Sequence, residues 1–263
     1  MKTVICKTIK SIPRDQWEAC RSSKAGGDPF LSYDFFFLLE RSNSVGPNTG
    51  WIPFFITFKE KNIVVGIIVS FLKTHSQGEY VFDHTWADAY HRSGASYYPK
   101  LQVAVPFTPV SGERILVRAE NESQVDEMIS STKRLVEENN ISSLHVTFCK
   151  DSFVGVAKKN SLLVREGIQY HWFNRNYKSF DDFLGSLTHR KRKNIIKERK
   201  QARNFGGQIK SLTGTQLTDF ELESFWRFYQ NTGQRKWGYP YLTKDFFMCL
   251  NKNLRDSVLL VLA

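Results

Sequence analysis

Residues 75–110 contain many acidic, aromatic and basic side chains, which are mixed along the segment. A solvated loop rarely carries so many aromatic residues, and an apolar core rarely carries so many charges. The mixture is typical of a ligand-binding cleft, in which aromatic side chains stack against a polar ligand and charged side chains form hydrogen bonds with it. The alternative is a loop-rich layer whose carboxylates pair with Lys and Arg. The candidate residues here are the carboxylates Glu79, Asp83 and Asp88, the aromatic residues Trp86 and Tyr98, and Lys100.

The same segment contains three potential metal ligands at regular spacing. His75, Glu79 and Asp83 follow one another at intervals of four residues, which on a helix would align them as ligands. Gly78 and the β-forming run Tyr80-Val81-Phe82 argue against a helix. The sequence also lacks a Gly-x-Ser-x-Gly elbow and a Walker-type loop. We therefore predict no metal site and no tightly bound cofactor.

Most of the net charge of +11 comes from residues 188–203, where eight Lys or Arg oppose Glu198 alone. Arg190-Lys191-Arg192-Lys193 are consecutive, so on a helix they sweep about 300° of its circumference. At least one cation must then point toward the protein, where it needs a phosphate or carboxylate partner. We therefore predict that Arg190, Lys191 and Arg192 bind phosphate. The alternatives are a solvated helix with mutually repelling charges and non-specific nucleic-acid binding.

Two histidines, His145 and His171, lie in apolar strand patterns. A histidine in such a pattern is more often an interior residue than a catalyst. His171 is nevertheless a candidate binding residue, because it lies at the end of a predicted strand just before the basic helix. Strand ends that face a domain junction are common places for ligands.

The hydrophobic periodicity predicts an alternation of strands and helices. The predicted strands cover residues 4–9, 51–58, 63–71, 79–82, 101–105, 114–117, 143–148, 168–173, 208–212 and 258–262. The predicted helices cover residues 13–20, 30–41, 122–139, 151–159, 179–205, 217–229 and 243–251. Residues 59–62 are predicted to close a hairpin.

One segment of the sequence occurs twice. Pro29-Phe30-Leu31-Ser32-Tyr33-Asp34-Phe35-Phe36 is repeated as Pro240-Tyr241-Leu242-Thr243-Lys244-Asp245-Phe246-Phe247, at an offset of 211 residues. In each copy the hydroxyl residue is suited to cap a helix, and the aspartate suits its first turn. The order strand, helix, helix, strand also recurs. We therefore predict a duplicated domain, with residues 1–173 as the first copy, 174–206 as a basic linking helix, and 207–263 as an incomplete second copy.

The composition favours a folded protein with a substantial core, since 41% of the residues are hydrophobic and 14% aromatic. The four cysteines are scattered, which is typical of thiols in a reducing compartment. The N-terminus lacks the apolar run of a signal peptide, and the longest apolar stretch, residues 63–72, is half a membrane span. These features predict a cytoplasmic protein without a membrane span.

Five motifs carry a resemblance to a known family. They are Ser76-x-Gly78-Glu79-Tyr80-Val81-Phe82-Asp83, Trp86-Ala87-Asp88-Ala89-Tyr90, Tyr97-Tyr98-Pro99-Lys100-Leu101, Val105-Pro106-Phe107-Thr108-Pro109-Val110-Ser111-Gly112 and Arg190-Lys191-Arg192-Lys193-Asn194-Ile195. On these motifs the chain from Asp28 to Ala263 resembles the bacterial-type proteins labelled peptidoglycan-biosynthesis or GNAT-family acyltransferases, which are relatives of the Fem-type aminoacyltransferases.

The resemblance implies an α/β fold with tandem GNAT-like domains, in which mixed sheets are flanked by helices and the second domain is truncated. It also implies transfer of an acyl or aminoacyl group to an amine, such as one on a cell-wall precursor. The donor would be a phosphate-bearing acyl-CoA or an aminoacyl-tRNA. The usual pyrophosphate cradle, Gln/Arg-x-x-Gly-x-Gly/Ala, is absent from the sequence.

With this function, the candidate residues are expected to have the following roles. Glu79, Asp83 and Asp88 would hold or deprotonate the amine, and Trp86 and Tyr98 would shape the pocket. Arg190, Lys191 and Arg192 would bind the phosphate. The alternative function is a non-catalytic RNA- or anion-binding protein that uses the basic helix 188–203. The sequence does not predict the oligomeric state.

Overall fold

The computed structural model describes residues 1–22, 24–236 and 238–263. In chain order, the helices and strands are β1 (Lys2–Cys6), α1 (Arg14–Arg21), α2 (Tyr33–Arg41), β2 (Trp51–Pro53), β3 (Phe55–Glu60), β4 (Ile63–Ile68), β5 (Ser70–Lys73), α3 (His84–Arg92), β6 (Lys100–Val103), β7 (Ile115–Val117), α4 (Val125–Glu138), β8 (Leu144–Val146), α5 (Ser152–Lys159), α6 (Phe180–Gly185), α7 (His189–Arg203), β9 (Lys210–Thr213), α8 (Asp219–Arg235), α9 (Lys244–Met248), α10 (Leu250–Asn253) and β10 (Leu259–Leu262).

The described residues form two compact units. Unit 1 comprises Met1–Val164 and Gly214–Val258, and unit 2 comprises Arg165–Thr213 and Leu259–Ala263. The predicted tandem domains and the truncation of the second one remain predictions. Each described helix is too short or too polar to traverse a lipid bilayer.

Unit 1 contains two four-stranded sheets, with strand orders β1-β3-β4-β7 and β2-β5-β6-β8. The pairs are antiparallel except for β6 with β8, which is parallel. The sheets are therefore mixed, and the predicted α/β class is confirmed. Unit 2 contains the antiparallel pair β9 and β10.

A bent hairpin connects the two sheets of unit 1. The predicted strands 51–58 and 63–71 each break once, so that β3 and β4 join one sheet while β2 and β5 join the other. The Phe54 N–H donates to the Ser70 carbonyl at 3.0 Å across the break. The hairpin turn lies where the sequence predicted it, because Lys61 and Asn62 both adopt the left-handed conformation that a two-residue turn requires.

Alternation along β3 places core residues on both faces of its sheet. Phe55 packs with Trp17 of α1 and Phe36 of α2, whereas Ile56 packs in a second cluster with Met128 of α4. A strand with apolar residues on both faces must be covered on both faces. The sheet is accordingly packed between α1 and α2 on one face and α4 on the other.

The two copies of the repeated segment form similar helix starts in unit 1. The Ser32 hydroxyl accepts a hydrogen bond from the Phe35 N–H, and the Thr243 hydroxyl accepts one from the Phe246 N–H. Both predicted caps are confirmed. The two helices also contact each other, since the rings of Phe35 and Phe246 lie 6.2 Å apart.

Four predicted elements are wrong; one is the predicted helix 243–251, which is two helices, α9 and α10, with Cys249 between them. Residues 79–82 form no strand, because Gly78 and Tyr80 have φ values of 78° and 56° that interrupt an extended backbone. Residues 168–173 also form no strand, since no described strand pairs with them. The predicted helix 179–205 is two helices, α6 and α7, separated by residues 186–188.

Candidate functional site

A buried charged cluster in unit 1 contains two lysines on neighbouring strands. Strands β5 and β6 pair antiparallel with Lys73 directly opposite Lys100. Both side chains have 0% exposure to solvent. Because an isolated buried ammonium group is costly, each lysine requires a carboxylate or several hydrogen-bond acceptors nearby.

Two carboxylates from the connection between β5 and β6 supply these partners. Lys100 Nζ donates to Glu79 Oε2 at 2.8 Å and to Asp83 Oδ2 at 2.5 Å. Lys73 Nζ lies 3.9 Å from Glu79 Oε1. We call Lys73, Glu79, Asp83 and Lys100 the lysine–carboxylate cluster. Glu79 thus lies between the two lysines, whereas Asp83 contacts Lys100 and not Lys73.

Hydroxyl groups surround Lys100 and complete the hydrogen bonding. Lys100 Nζ also donates to Ser76 Oγ at 2.9 Å, and Tyr98 Oη lies 2.7 Å from the same Ser76 oxygen. The Tyr97 hydroxyl donates to Asp83 Oδ2 at 2.7 Å. Lys100 and Asp83 are therefore fixed by several groups at once.

Lys73 has a different environment, because an aromatic ring replaces most of its hydrogen-bond partners. Its Nζ lies 3.9 Å from the centre of the Trp51 ring and donates to the Gln77 carbonyl at 3.3 Å. The Trp51 indole N–H donates to the same Gln77 carbonyl at 3.0 Å. The cation–π contact stabilises the ammonium form only in part.

Burial and neighbouring charges shift the protonation of the cluster. Burial lowers the pKa of Lys73 to about 7; Glu79 opposes this shift and Lys100 adds to it. Burial raises the pKa of Glu79, although both lysines oppose that shift. Burial also acts to raise the pKa of Asp83, but hydrogen bonds from Lys100 and Tyr97 outweigh it and hold the pKa at about 2. Asp83 is therefore the permanent anion, whereas Lys73 and Glu79 are the groups suited to exchange protons.

The cluster contains carboxylate oxygens that accept no hydrogen bond. Within the described part of the chain, Glu79 Oε1 and Asp83 Oδ1 are buried without a hydrogen-bond partner. A buried carboxylate oxygen normally has at least one donor. These two oxygens are the free acceptor positions of the cluster, and Glu79 Oε1 is the one that faces Lys73.

The structure brings together some of the residues that the sequence singled out. Glu79, Asp83 and Lys100 are in direct contact, and Tyr98 joins them through Ser76. Asp88 and Trp86 instead lie exposed on α3. The roles predicted for all these residues remain predictions.

The remaining predicted residues belong to unit 2. His171 is exposed, and its Nε2 lies 3.1 Å from Gln169 Oε1. Arg190 and Lys191 are exposed on α7. Arg192 does point inward, as one of the four cations had to, but it donates to the carbonyls of Leu184 and Leu187 at 2.9 and 3.2 Å. It also donates to the Gly185 carbonyl at 3.3 Å.

Sequence reasoning missed Lys73 and Tyr97 as members of the site. Lys73 directly follows the apolar run 63–72, and Lys100 directly precedes the predicted strand 101–105. The predicted strand 79–82, which does not form, separated the two positions in the sequence-based prediction. Their pairing depends on strand register, which the intervening loop conceals.

Two solved structures are similar to the chain. The aminoglycoside antibiotic 6'-N-acetyltransferase AAC(6')-IG from Acinetobacter haemolyticus is 13% identical, with 68% of this chain and 100% of that chain covered at a TM-score of 0.36. FemX is 14% identical, with 95% of this chain covered at a TM-score of 0.45. The chain spans 54% of the length of FemX. At these TM-scores neither similarity supports a conclusion about fold or function.

The family comparison gives a firmer result. No curated protein matches the chain in sequence. The model of the FemAB-like family, described as peptidoglycan biosynthesis/recognition, matches residues 8–263. This match covers nearly the whole chain and confirms the resemblance that the five motifs indicated. The chain therefore belongs to the FemAB-like family of peptidoglycan biosynthesis and recognition.

Proposed function

We propose that the protein transfers an acyl or aminoacyl group from a phosphate-bearing donor, acyl-CoA or aminoacyl-tRNA, to an amine of a cell-wall precursor. Membership of the FemAB-like family supports a transferase in cell-wall synthesis. The lysine–carboxylate cluster supports the amine as the acceptor. The donor and the acceptor act as co-substrates, and the proposal requires no resident cofactor.

The observation that carries the proposal is the environment of the Lys73 amine. Acyl transfer requires a neutral amine, because an ammonium group has no free electron pair for attack on a carbonyl carbon. The buried cluster lowers the pKa of the Lys73 amine to about 7. An acceptor amine placed in this environment would lose its proton for the same reason, namely burial beside an existing cation.

Glu79 is the residue best suited to receive the proton of the acceptor. Its pKa is raised by burial, and its Oε1 is a free acceptor position. In the proposed step the amine nitrogen attacks the carbonyl carbon of the donor, and a C–N bond forms. The C–S bond of a thioester or the C–O bond of an ester breaks. The amine proton passes to Glu79 and from there to the leaving thiolate or alkoxide.

Asp83 and Lys100 have a positioning role in this proposal. Asp83 is held ionised by Lys100 and Tyr97, so it keeps the Lys100 ammonium in place. Lys100 in turn orients Glu79 through the 2.8 Å hydrogen bond to Oε2. Oε1 is thereby left for the acceptor.

The acceptor reaches the cluster, in this proposal, when α3 moves aside while Glu79 and Asp83 keep their contacts with Lys100. None of the α3 residues is buried. Gly94, which has a φ value of 77°, follows the helix. A segment with few buried apolar contacts opens at low cost in free energy.

A transfer assay with Glu79→Gln tests the proposal. The protein is incubated with acetyl-CoA or with aminoacyl-tRNA and a panel of amines, and the released thiol or the labelled product is measured. Loss of a general base should lower the rate by about 10²–10⁴-fold. Glu223→Gln is the control, because Glu223 pairs with Lys244 at the surface. Equal rates for the two variants, or no transfer from either donor, would contradict the proposal.

The second candidate function is a non-catalytic RNA- or anion-binding module. The net charge of +7 on residues 188–203 favours it. This candidate predicts salt-dependent RNA binding without consumption of either donor. The assay above therefore separates the two functions.

A further inference from the structure

Unit 2 exposes several large apolar side chains in the connection that precedes α6. These residues belong to the run that the sequence predicted to be a strand, and the proposed transfer reaction does not use them. Exposed apolar groups in contiguous patches mark interaction surfaces more often than isolated ones do. Their exposed fractions are 84% for Ile168, 96% for Tyr170, 64% for Trp172 and 72% for Phe173.

The exposed aromatic residues continue into a cleft beside α6. Trp172, Tyr177, Phe180 and Phe183 line this cleft, which has a volume of about 550 Å³. The ring of Phe183 lies 5.8 Å from that of Trp172 and 5.7 Å from that of Phe180. Trp172, Phe180 and Phe183 therefore form one connected patch, and Trp172 is also a member of the exposed run 168–173.

The aromatic patch is joined to the basic helix α7. The guanidinium of Arg199 lies over the ring of Phe180 at 3.7 Å. The other cations of α7, except for the half-buried Arg192, are exposed, and Ile196 on the same helix has an exposed fraction of 50%. Unit 2 thus presents apolar and cationic side chains together. We call this combination the aromatic–basic surface; it comprises Ile168, Tyr170, Trp172, Phe173, Phe180, Phe183 and the two cations on the same face of α7, Arg199 and Arg203.

We propose that the aromatic–basic surface docks on an anionic lipid bilayer. Tryptophan and tyrosine are favoured at the level of the lipid headgroups, where one end of the ring is apolar and the other wet. Lysine and arginine near an anionic bilayer each add about 1 kcal/mol of attraction. Residues 188–203 carry a net charge of +7, which complements anionic lipid headgroups. This complementarity identifies an anionic bilayer as the partner. This proposal does not depend on the transfer reaction.

The aliphatic residues of the surface favour a bilayer over RNA. Both partners offer phosphate groups to α7, and both accommodate aromatic rings. Ile168 and Ile196, however, gain nothing from stacking on bases, whereas a bilayer removes their side chains from water. The observations therefore favour a lipid bilayer as the partner, and binding of RNA in its place is a result that the experiment can detect.

Co-sedimentation with vesicles tests the aromatic part of the surface. The protein is mixed with vesicles of phosphatidylcholine alone and with vesicles that also contain phosphatidylglycerol. We expect binding to the second kind only, weakened at least about tenfold in the double variant Tyr170→Ser with Phe173→Ser. The matched control is Phe220→Ser with Tyr239→Ser, at positions that are 77% and 91% exposed in unit 1. All four side chains lie at the surface, so both variants should fold.

A second pair of variants tests the basic part. Arg199→Ala and Arg203→Ala should each weaken binding to the anionic vesicles about fivefold, and Lys7→Ala should not. The proposal is overturned if the protein binds neither kind of vesicle or both kinds equally. It is also overturned if the aromatic double variant binds like the wild type, or if polyuridine is bound while anionic vesicles are not.

Discussion

Lys73 and Lys100 lie directly opposite each other on adjacent antiparallel strands, and both side chains are completely buried. Like charges at such positions repel. The pair is tolerated because Glu79 lies between the two ammonium groups and Asp83 adds a second anion next to Lys100.

Replacing Lys100 should destabilise unit 1 strongly. Lys100→Met leaves Glu79 and Asp83 buried without their main donor, which should lower the free energy of unfolding by about 3–5 kcal/mol. Urea denaturation measures this change. Lys159→Met removes the exposed ion pair with Asp126 and should lower the free energy of unfolding far less, because solvent screens that pair. Similar losses for both variants would mean that the buried cluster does not stabilise the fold.

The buried Lys73 should make stability depend on pH. Its pKa is about 7 in the folded protein, below that of an exposed lysine, so the unfolded chain binds more protons above pH 7. The stability of the wild type relative to Lys73→Met should therefore rise from pH 7 to pH 10, by at most about 1.4 kcal/mol per pH unit, and should be constant below pH 7. Urea midpoints of the two proteins across this range give the difference. A constant difference would contradict the shifted pKa.

Gly78 should be required both for its backbone conformation and for space. A Cβ there would lie 2.8 Å from a ring carbon of Phe107, at a φ of 78°. Gly78→Ala should therefore lower stability by about 2–4 kcal/mol. Gly94 has nearly the same φ, 77°, with nothing within 4 Å, so Gly94→Ala should cost only about 1–2 kcal/mol. Thermal or urea unfolding of the two variants separates the steric cost from the conformational cost. Equal losses of stability would show that the contact with Phe107 adds no steric cost.

Arg192 should stabilise the junction between α6 and α7. Its guanidinium donates to three backbone carbonyls that follow or end α6. Arg192→Ala should lower local stability by about 1–2 kcal/mol, which accelerates amide hydrogen exchange in α6 about tenfold. Lys193→Ala, at the exposed neighbouring position, should leave this exchange unchanged. If Arg192→Ala weakens binding of a phosphorylated ligand without affecting exchange, the phosphate role predicted from the sequence is the better description.

The sequence by itself determined the local features of the fold. The caps at Ser32 and Thr243 depend on a hydroxyl residue and its neighbours three positions away, and both are present as predicted. The hairpin turn at Lys61 and Asn62 is local in the same way. The motifs around Glu79, Lys100 and Arg190 were sufficient to indicate the family, which the match over residues 8–263 confirms.

The tertiary structure alone decided which charged residues meet. Lys73 and Lys100 are brought together by the register of β5 and β6, across a connection of 26 residues that the periodicity did not predict correctly. Glu79 was expected in a strand, but the left-handed conformation of Tyr80 interrupts the extended backbone beside it, and its carboxylate contacts Lys100. A buried ion pair depends on long-range pairing and on desolvation, and neither is encoded in the spacing of a short segment. The sequence therefore identified the carboxylates and Lys100 as candidates, while only the fold showed that Lys73 shares their site.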